Sequence, residues 1–300
     1  MDTSGQDEVN RLLGTIRATI RKVPAHAWAE HAFSRDKALV SALFSRLAYA
    51  HIPQYELDSS KGVKIVPSEL YQLVFAERIT LDMRALLTAS DLGGRVDVFI
   101  ASNRGAVAIG VKTDLFIVVA IRGTRLLYLS DWVIDFRARM IHPYGGEKAH
   151  LGFHSGFFHT IQSLRWDIIQ SLRSWPEGMP VIVTGHSLGG AMAAILYGME
   201  EFRGYWPPST GPQCYTFGMP RYGNALATCM QPYPFHTYHL KDPVPRLPPA
   251  LLGFAAADQL EYCVDEKLVP GCAPRRPLLL KARLGEHRIE AYIAHMQEFC

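Results

Sequence analysis

V-I-V-T-G-H-S-L-G-G-A-M-A, residues 181–193, carries one serine between two glycines where a β-branched run gives way to small residues. Such a run followed by small residues predicts a strand and then a helix. Gly185 and Gly189 would let strand and helix approach closely, with Ser187 in the sharp turn between them. The stretch therefore predicts a nucleophile elbow with Ser187 as nucleophile. The alternative is an ordinary glycine-rich turn.

The composition indicates a folded domain of a common size. The chain has 300 residues, 48% of them hydrophobic, and a formal net charge of +3. This length fits one α/β domain with extensions. The mild charge, with no dense basic block, argues against a nucleic-acid partner. No apolar run reaches the roughly 18–20 residues of a transmembrane segment. The polar, acidic first ten residues lack a signal-peptide pattern, so we expect a cytoplasmic protein by default, with signal-independent secretion as the alternative.

Helical and strand patterns alternate along the chain. The predicted elements are helices at 9–20, 36–49, 156–175 and 188–202 and strands at 96–103, 106–112, 115–121, 180–184, 214–218 and 235–240. This alternation predicts an α/β fold with a mostly parallel central sheet and antiparallel strands at one edge. We expect one domain over residues 1–300, in which 1–60 is a helical extension packed on the rest. A basic amphipathic helix on a membrane surface is the alternative for the first helix.

A serine nucleophile requires a histidine base and a carboxylate that orients the base. At a nucleophile elbow the expected chain order is serine, carboxylate, histidine. Asp242 directly follows a predicted strand, so it would lie at the same end of the sheet as Ser187. Rival carboxylates on the following loop are Asp258, Glu261, Asp265 and Glu266. Spacing alone does not decide whether His287 or His295 is the base.

Seven blocks of the sequence resemble the fungal-type (class 3) lipases. In the order seen in that family they are V-V-A-I-R-G-T, D-W-V-I-D-F, F-H-S-G-F, V-T-G-H-S-L-G-G-A, T-F-G-M-P-R-Y-G-N, D-P-V-P-R-L-P-P and H-R-I-E-A-Y. The resemblance implies an α/β-hydrolase fold and ester hydrolysis with Ser187 as nucleophile, Asp242 as acid and His287 as base. It favours His287 over His295 because the family's histidine precedes a tyrosine at the spacing of Tyr292. The implied chemistry requires no cofactor and no metal.

The resemblance also implies how the rest of the site is built. The amide of Leu188, which follows the nucleophile, and the amide and hydroxyl of Thr124 would form the oxyanion hole. A lid would follow Thr124, with apolar lid or acyl-binding residues Leu126, Leu127, Tyr128, Leu129 and Trp132. One helix face cannot bury four successive large apolar residues, so some of them would cover an apolar groove. Residues 248–257 are a second candidate for lining that groove.

Two further histidines match family positions. We expect His154 to be a hydrogen-bonded scaffold residue and the side chain of His186 to point away from the reacting ester. The apolar lid favours an acyl-chain substrate, so the sequence predicts a lipase that cleaves acylglycerol-type esters at a lipid–water interface. Phospholipase A1 is the nearest alternative, followed by a feruloyl or short-chain esterase and then by a non-catalytic lipid-binding protein.

Overall fold

The computed structural model describes residues 3–50, 96–103, 106–122, 139–204, 206, 211–257, 261–263, 269–270 and 284–298. The strands are β1 (Asp97–Asn103), β2 (Ala106–Lys112), β3 (Ile117–Arg122), β4 (Met140–Ile141), β5 (Phe153–His154), β6 (Val181–His186), β7 (Gln213–Phe217), β8 (Phe235–Tyr238), β9 (Glu261–Cys263) and β10 (Val269–Pro270). The α-helices are α1 (Thr3–Ile20), α2 (Arg35–Ala50), α3 (Ser155–Arg173), α4 (Leu188–Gly198), α5 (Glu200–Arg203), α6 (Ala225–Met230) and α7 (Ile289–Glu298).

Eight strands form the central sheet, in the order β1-β2-β3-β6-β7-β8-β9-β10. The pairs from β3 to β9 are parallel, whereas β1-β2, β2-β3 and β9-β10 are antiparallel. The prediction of a mostly parallel α/β sheet is confirmed. Antiparallel strands lie at both edges rather than at one, because β10 pairs back onto β9 after a short connection, as antiparallel neighbours can.

The sheet is covered on both faces. Successive side chains of a strand point to opposite faces. In β3, Val118 and Ala120 accordingly join the apolar core formed with α1, α2 and α7, while Ile117, Val119 and Ile121 join the core formed with α3 and α4. Because both of its faces are buried, β3 is apolar almost throughout instead of alternating.

The predicted helix over 188–202 is interrupted. Helix α4 ends at Gly198, Met199 adopts an extended conformation (φ −71°, ψ 129°), and α5 then begins at Glu200. The side chain of Gln231 occupies the space that a Cβ at residue 198 would need. The break thus lies where Gln231, the residue after α6, packs against α4.

The two N-terminal helices form a layer of the domain. Leu13, Ile16 and Ile20 of α1 are buried, so α1 packs on the protein through its apolar face. Helix α2 lies against β6, where the hydroxyl oxygens of Ser45 and Thr184 are 3.0 Å apart. The boundary of the extension at residue 60 stays a prediction, because residues 51–95 lie outside the described part.

Helix α2 also holds the C-terminal helix α7. The guanidinium of Arg46 lies 2.7 Å from a carboxylate oxygen of Glu290 near the start of α7. At the other end, Nε and Nη2 of Arg35 donate to the carbonyl oxygen of Met296, at 3.1 and 2.7 Å. A cation at this position donates to a terminal helix carbonyl and interacts favourably with the negative end of the helix dipole. The helix that follows His287 is therefore fixed by the N-terminal part of the chain.

Candidate active site

Ser187 sits at the predicted elbow between β6 and α4 with φ 58° and ψ −129°. Among the described residues it is the only non-glycine with a positive φ. A Cβ on Gly185 would collide with the carbonyl group of Gly189 and would lie 2.7 Å from the backbone nitrogen of Gly190. The glycine at 185 is thus required by close backbone approach. The strained serine places its hydroxyl at the carboxyl end of β6, beside the first turn of α4.

Ser187, His287 and Asp242 form one hydrogen-bonded relay. His287 Nε2 lies 2.8 Å from Ser187 Oγ, and His287 Nδ1 lies 2.7 Å from Asp242 Oδ2. All three side chains are at most 1% exposed. Because a carboxylate only accepts, Nδ1 of His287 carries the proton and donates it to Asp242, which leaves Nε2 to accept from the serine hydroxyl. The relay therefore presents a serine next to a base of the correct tautomer.

Asp242 is held in its charged form by its neighbours. The hydroxyl of Tyr292 donates to Oδ2 at 2.6 Å, and the amide of Val244 donates to Oδ1 at 2.9 Å. Burial by itself raises the pKa of Asp242, but the adjacent His287 and these hydrogen bonds outweigh it and hold the pKa below its usual range. The hydroxyl of Tyr292 on the acid is a feature that sequence reasoning missed, although the histidine–tyrosine spacing was its signal.

Gly218 is a second feature that the sequence did not reveal. It follows β7 with φ 54°, and a Cβ there would lie 2.8 Å from Asp242 Oδ2 and 3.1 Å from His287 Cε1. Any larger residue would press on the acid and the base together. The glycine lies inside the T-F-G-M-P-R-Y-G-N block, which was its only signal in the sequence.

The two other histidines that match family positions are buried, and only His186 has a described contact with this relay. The Nε2 of His186 donates to the backbone carbonyl oxygen of His287 at 2.6 Å. Burial and, second in size, the neighbouring His287 together lower the pKa of His186 to about 3. The ring of His154 stacks on Phe157 with centroids 4.0 Å apart, and burial lowers its pKa to about 4. The side chain of His186 thus points at the back of the base.

The structure describes some of the other predicted site residues, and the rest lie outside the described part of the chain. Leu188 is the first residue of α4, next to the serine, and is buried. His295 lies on α7, where Nδ1 donates to the carbonyl oxygen of Ala291 and the ring faces His239, so the relay contains His287 and not His295. Thr124 and the lid residues Leu126, Leu127, Tyr128, Leu129 and Trp132 lie outside the described residues. So do the rival acids Asp258, Asp265 and Glu266 and the side chain of Glu261.

Residues 248–257 divide between core and surface. Phe254 and Ala257 are buried, whereas Leu251 is 95% and Leu252 50% exposed. The two leucines lie in a 3-10 turn closed by Gly253, which has a φ of 84°. They therefore project outward from the turn, nine and ten residues after the acid of the relay.

Neither a metal site nor a membrane span emerges from the part of the chain that is described. Within it, no group of three or more His, Cys, Asp or Glu residues could hold a metal ion. Its helices are also too short or too polar to cross a bilayer.

A mostly parallel sheet with helices on both faces, a strained serine after a central strand and a Ser–His–Asp relay define an α/β-hydrolase fold. Residues 118–252 match the model of the class 3 lipases, so this part of the chain is similar to that family. The family model, the fold and the relay thus agree with the expectation drawn from the seven sequence blocks.

Several relatives extend this match. The chain is 30% identical over 161 residues to a secreted mono- and diacylglycerol lipase of Fusarium solani, covering 50% of this chain and 44% of the relative. It is 31% identical over 164 residues to secreted mono- and diacylglycerol lipase A of Penicillium cyclopium, covering 53% and 51%. The chain thus spans about half the length of these curated relatives. The structure of a Rhizomucor miehei triacylglyceride lipase has the same fold, with a TM-score of 0.55, 19% identity, and coverage of 74% of this chain and 94% of that one.

The expected cytoplasmic location is wrong. The relatives from F. solani and P. cyclopium are named secreted lipases, which points to an extracellular location. The expectation depended on the polar first residues alone. A targeting segment is not part of a folded domain, so the patterns that build the fold carry no signal for location.

Proposed function

We propose that the protein is a serine carboxylester hydrolase of the lipase type, which cleaves acylglycerol esters through an acyl-enzyme on Ser187. The observation that carries this proposal is the buried relay, with 2.8 Å between His287 Nε2 and Ser187 Oγ and 2.7 Å between His287 Nδ1 and Asp242 Oδ2. A backbone strained at the serine supports the same conclusion, because such strain persists where function requires it.

Each group has a role in the proposed reaction. His287 Nε2 takes the hydroxyl proton while Ser187 Oγ attacks the ester carbonyl, and Asp242 stabilises the imidazolium that forms. The amide of Leu188 donates to the developing oxyanion, together with the amide and hydroxyl of Thr124. The imidazolium then gives its proton to the departing alcohol, and water, activated by the same base, releases the acid from Ser187.

The substrate class is proposed from two sources. Two relatives that the chain matches over about half of their length are named mono- and diacylglycerol lipases. Leu251 and Leu252 present apolar surface on a turn that follows the acid of the relay, as suits action at a lipid surface. The proposal also includes a lid after Thr124 and a single hydrolase domain over residues 1–300, with residues 1–60 as a helical extension packed on it.

Labelling with a fluorophosphonate and a substrate panel test the activity directly. The purified protein should react covalently at Ser187 and should hydrolyse emulsified tributyrin and triolein, while Ser187→Ala should lose both properties. Full hydrolysis by Ser187→Ala would refute the mechanism.

The same panel distinguishes the alternatives. Faster hydrolysis of phosphatidylcholine than of triolein would identify a phospholipase A1, and a preference for soluble methyl ferulate would identify an esterase. A folded wild-type protein that neither reacts nor hydrolyses any ester would leave a lipid-binding role.

A further inference from the structure

His186 connects the nucleophile elbow to the backbone of the base. It is the last residue of β6 and the immediate neighbour of Ser187, and its ring is buried. Its Nε2 lies 2.6 Å from the carbonyl oxygen of His287. A carbonyl only accepts, so Nε2 must carry a proton and donate it. One side chain therefore joins the segment that carries the serine to the main chain that carries the base.

The hydrogen bond acts on a part of His287 that the acid does not reach. Asp242 binds the Nδ1 edge of the ring and sets its tautomer and rotation. The main chain of His287 lies at the end of a 3-10 turn, Leu284–His287, just before α7. The carbonyl oxygen of His287 accepts a hydrogen bond from His186. The following helix α7 is held to α2 by the ion pair between Glu290 and Arg46. The bond from His186 thus acts on the main chain from which the imidazole projects.

The surroundings of His186 keep this bond intact. Its ring lies 4.7 Å from the ring of His287 and 6.0 Å, edge to face, from that of Tyr292. Burial and the proximity of His287 keep the pKa of His186 far below neutrality, so the ring stays neutral while His287 cycles through its charged form. A permanently charged donor at this position would oppose the imidazolium, whereas a neutral donor does not.

We infer that His186 is a positioning residue of the catalytic relay, which sets the distance from His287 to Ser187 through its hydrogen bond to the His287 carbonyl. This inference rests on the proposed hydrolase function. It predicts that the bond contributes to the chemical step and not to substrate binding, because misplacement of a base by about 1 Å costs roughly 10²-fold in rate.

The test compares two substitutions of similar size. His186→Gln keeps an N–H donor at nearly the reach of Nε2, whereas His186→Leu fills the space without a donor. Steady-state kinetics on a soluble p-nitrophenyl ester should show kcat lowered about 10²-fold in His186→Leu with KM within about twofold of wild type. His186→Gln should retain at least about a third of the wild-type kcat, since the donor is restored.

A double-mutant cycle separates positioning from general destabilisation. In the His287→Ala background, His186→Leu should cause no further loss of the residual activity, because its effect passes through His287. Thermal melts of each variant verify folding. If His186→Leu does not fold, His186→Asn replaces it, because the shorter amide fills the same polar environment without reaching the carbonyl.

The results that would overturn the inference are distinct from failure of the proposed function. A kcat for the donor-less variant within about threefold of wild type, equal losses in the glutamine and donor-less variants, or a further loss in the His287→Ala background would each refute it. If wild type and Ser187→Ala are equally inactive, the hydrolase proposal itself fails, whatever residue stands at 186.

Discussion

The nucleophile and the base of the relay are held in contrasting ways. The sharp turn at Ser187 is formed by residues within a few positions of it, since Gly185 permits contact with the backbone of Gly189 and the first turn of α4 begins at the next residue. One bond, from the Ser187 amide to the carbonyl of Phe217, ties this turn to β7. His287 is fixed by distant residues: Asp242 on its ring, His186 on its carbonyl and, through α7, Arg46 on α2. One end of the relay is a local motif and the other is an assembly of remote segments.

This difference indicates where each half is vulnerable. A local elbow fails when its backbone is obstructed, which affects folding as much as catalysis. An assembled base fails when one partner is removed, which affects catalysis while the fold persists. The predictions below test each half, starting with the largest expected effect.

Asp242→Asn should break the assembled half most severely. The NH2 group of asparagine would donate to Nδ1 where the carboxylate accepts, so His287 would take the wrong tautomer and kcat should fall about 10⁴-fold. Ester hydrolysis with active-site titration measures this change. Asp167→Asn, on the exposed face of α3, is the matched control and should leave kcat unchanged. Equal kcat values in Asp242→Asn and wild type would mean that another carboxylate orients the base.

Gly185→Ala should break the local half by destabilising the fold. The added Cβ would meet the backbone of Gly189 and Gly190, which cannot move as a side chain can. Such overpacking costs about 1–3 kcal/mol of unfolding free energy, which urea denaturation measures. Gly145→Ala, where a Cβ meets nothing within 4 Å, should show no such loss. A fully stable Gly185→Ala protein would refute the close-approach explanation.

Tyr292→Phe should weaken the assembled half moderately. It removes the 2.6 Å hydrogen bond to Asp242, and a bond to a charged group contributes about 1.5–3 kcal/mol, so we expect a loss of about tenfold or more in kcat/KM. Tyr233→Phe, which removes an exposed hydroxyl that donates to the Cys229 carbonyl, is the control.

The same variant makes a prediction about pH. Because the pKa of Asp242 is lowered on folding, its contribution to stability is present above its unfolded pKa and is lost as the pH falls through its folded pKa. Without the Tyr292 hydroxyl the folded pKa rises towards the unfolded value. Tyr292→Phe should therefore lose less stability than wild type on acidification, starting from a lower stability at neutral pH. Melting temperatures measured from pH 7 to pH 3 test this. A difference between wild type and variant that stays constant over this range would contradict it.

The smallest effect is expected at the surface. Replacing Leu251 and Leu252 by serine removes exposed apolar area and should lower hydrolysis of emulsified triolein about three- to tenfold, because each leucine gains about 1.5–3 kcal/mol at most when fully buried. Hydrolysis of a soluble p-nitrophenyl ester should not change. Leu226→Ser, which alters another exposed leucine on α6, should affect neither assay. Equal losses on both substrates would place the two leucines outside any lipid contact.

The sequence was most informative where structure depends on neighbouring residues. The hairpin of β1 and β2, the buried strand β3, helix α3 and the elbow at Ser187 all follow from periodicity and from glycine spacing. Asp242 was also accessible, because the carboxyl ends of parallel strands meet at one edge of the sheet. The break between α4 and α5 was missed, and the packing of the Gln231 side chain against Gly198 at that break joins residues remote in the chain.

The amino-acid sequence by itself determined the class of fold, the strained serine and the order of serine, acid and base. It left His287 and His295 open until a family resemblance was considered, because both follow the acid and both lie near one terminal helix. Only the tertiary structure decided the remaining contacts: Tyr292 on Asp242, Gly218 against the relay, His186 on the base and α2 behind α7. Each of these joins segments far apart in the chain, and local propensity carries no information about which distant surfaces meet when the two faces of the sheet are covered.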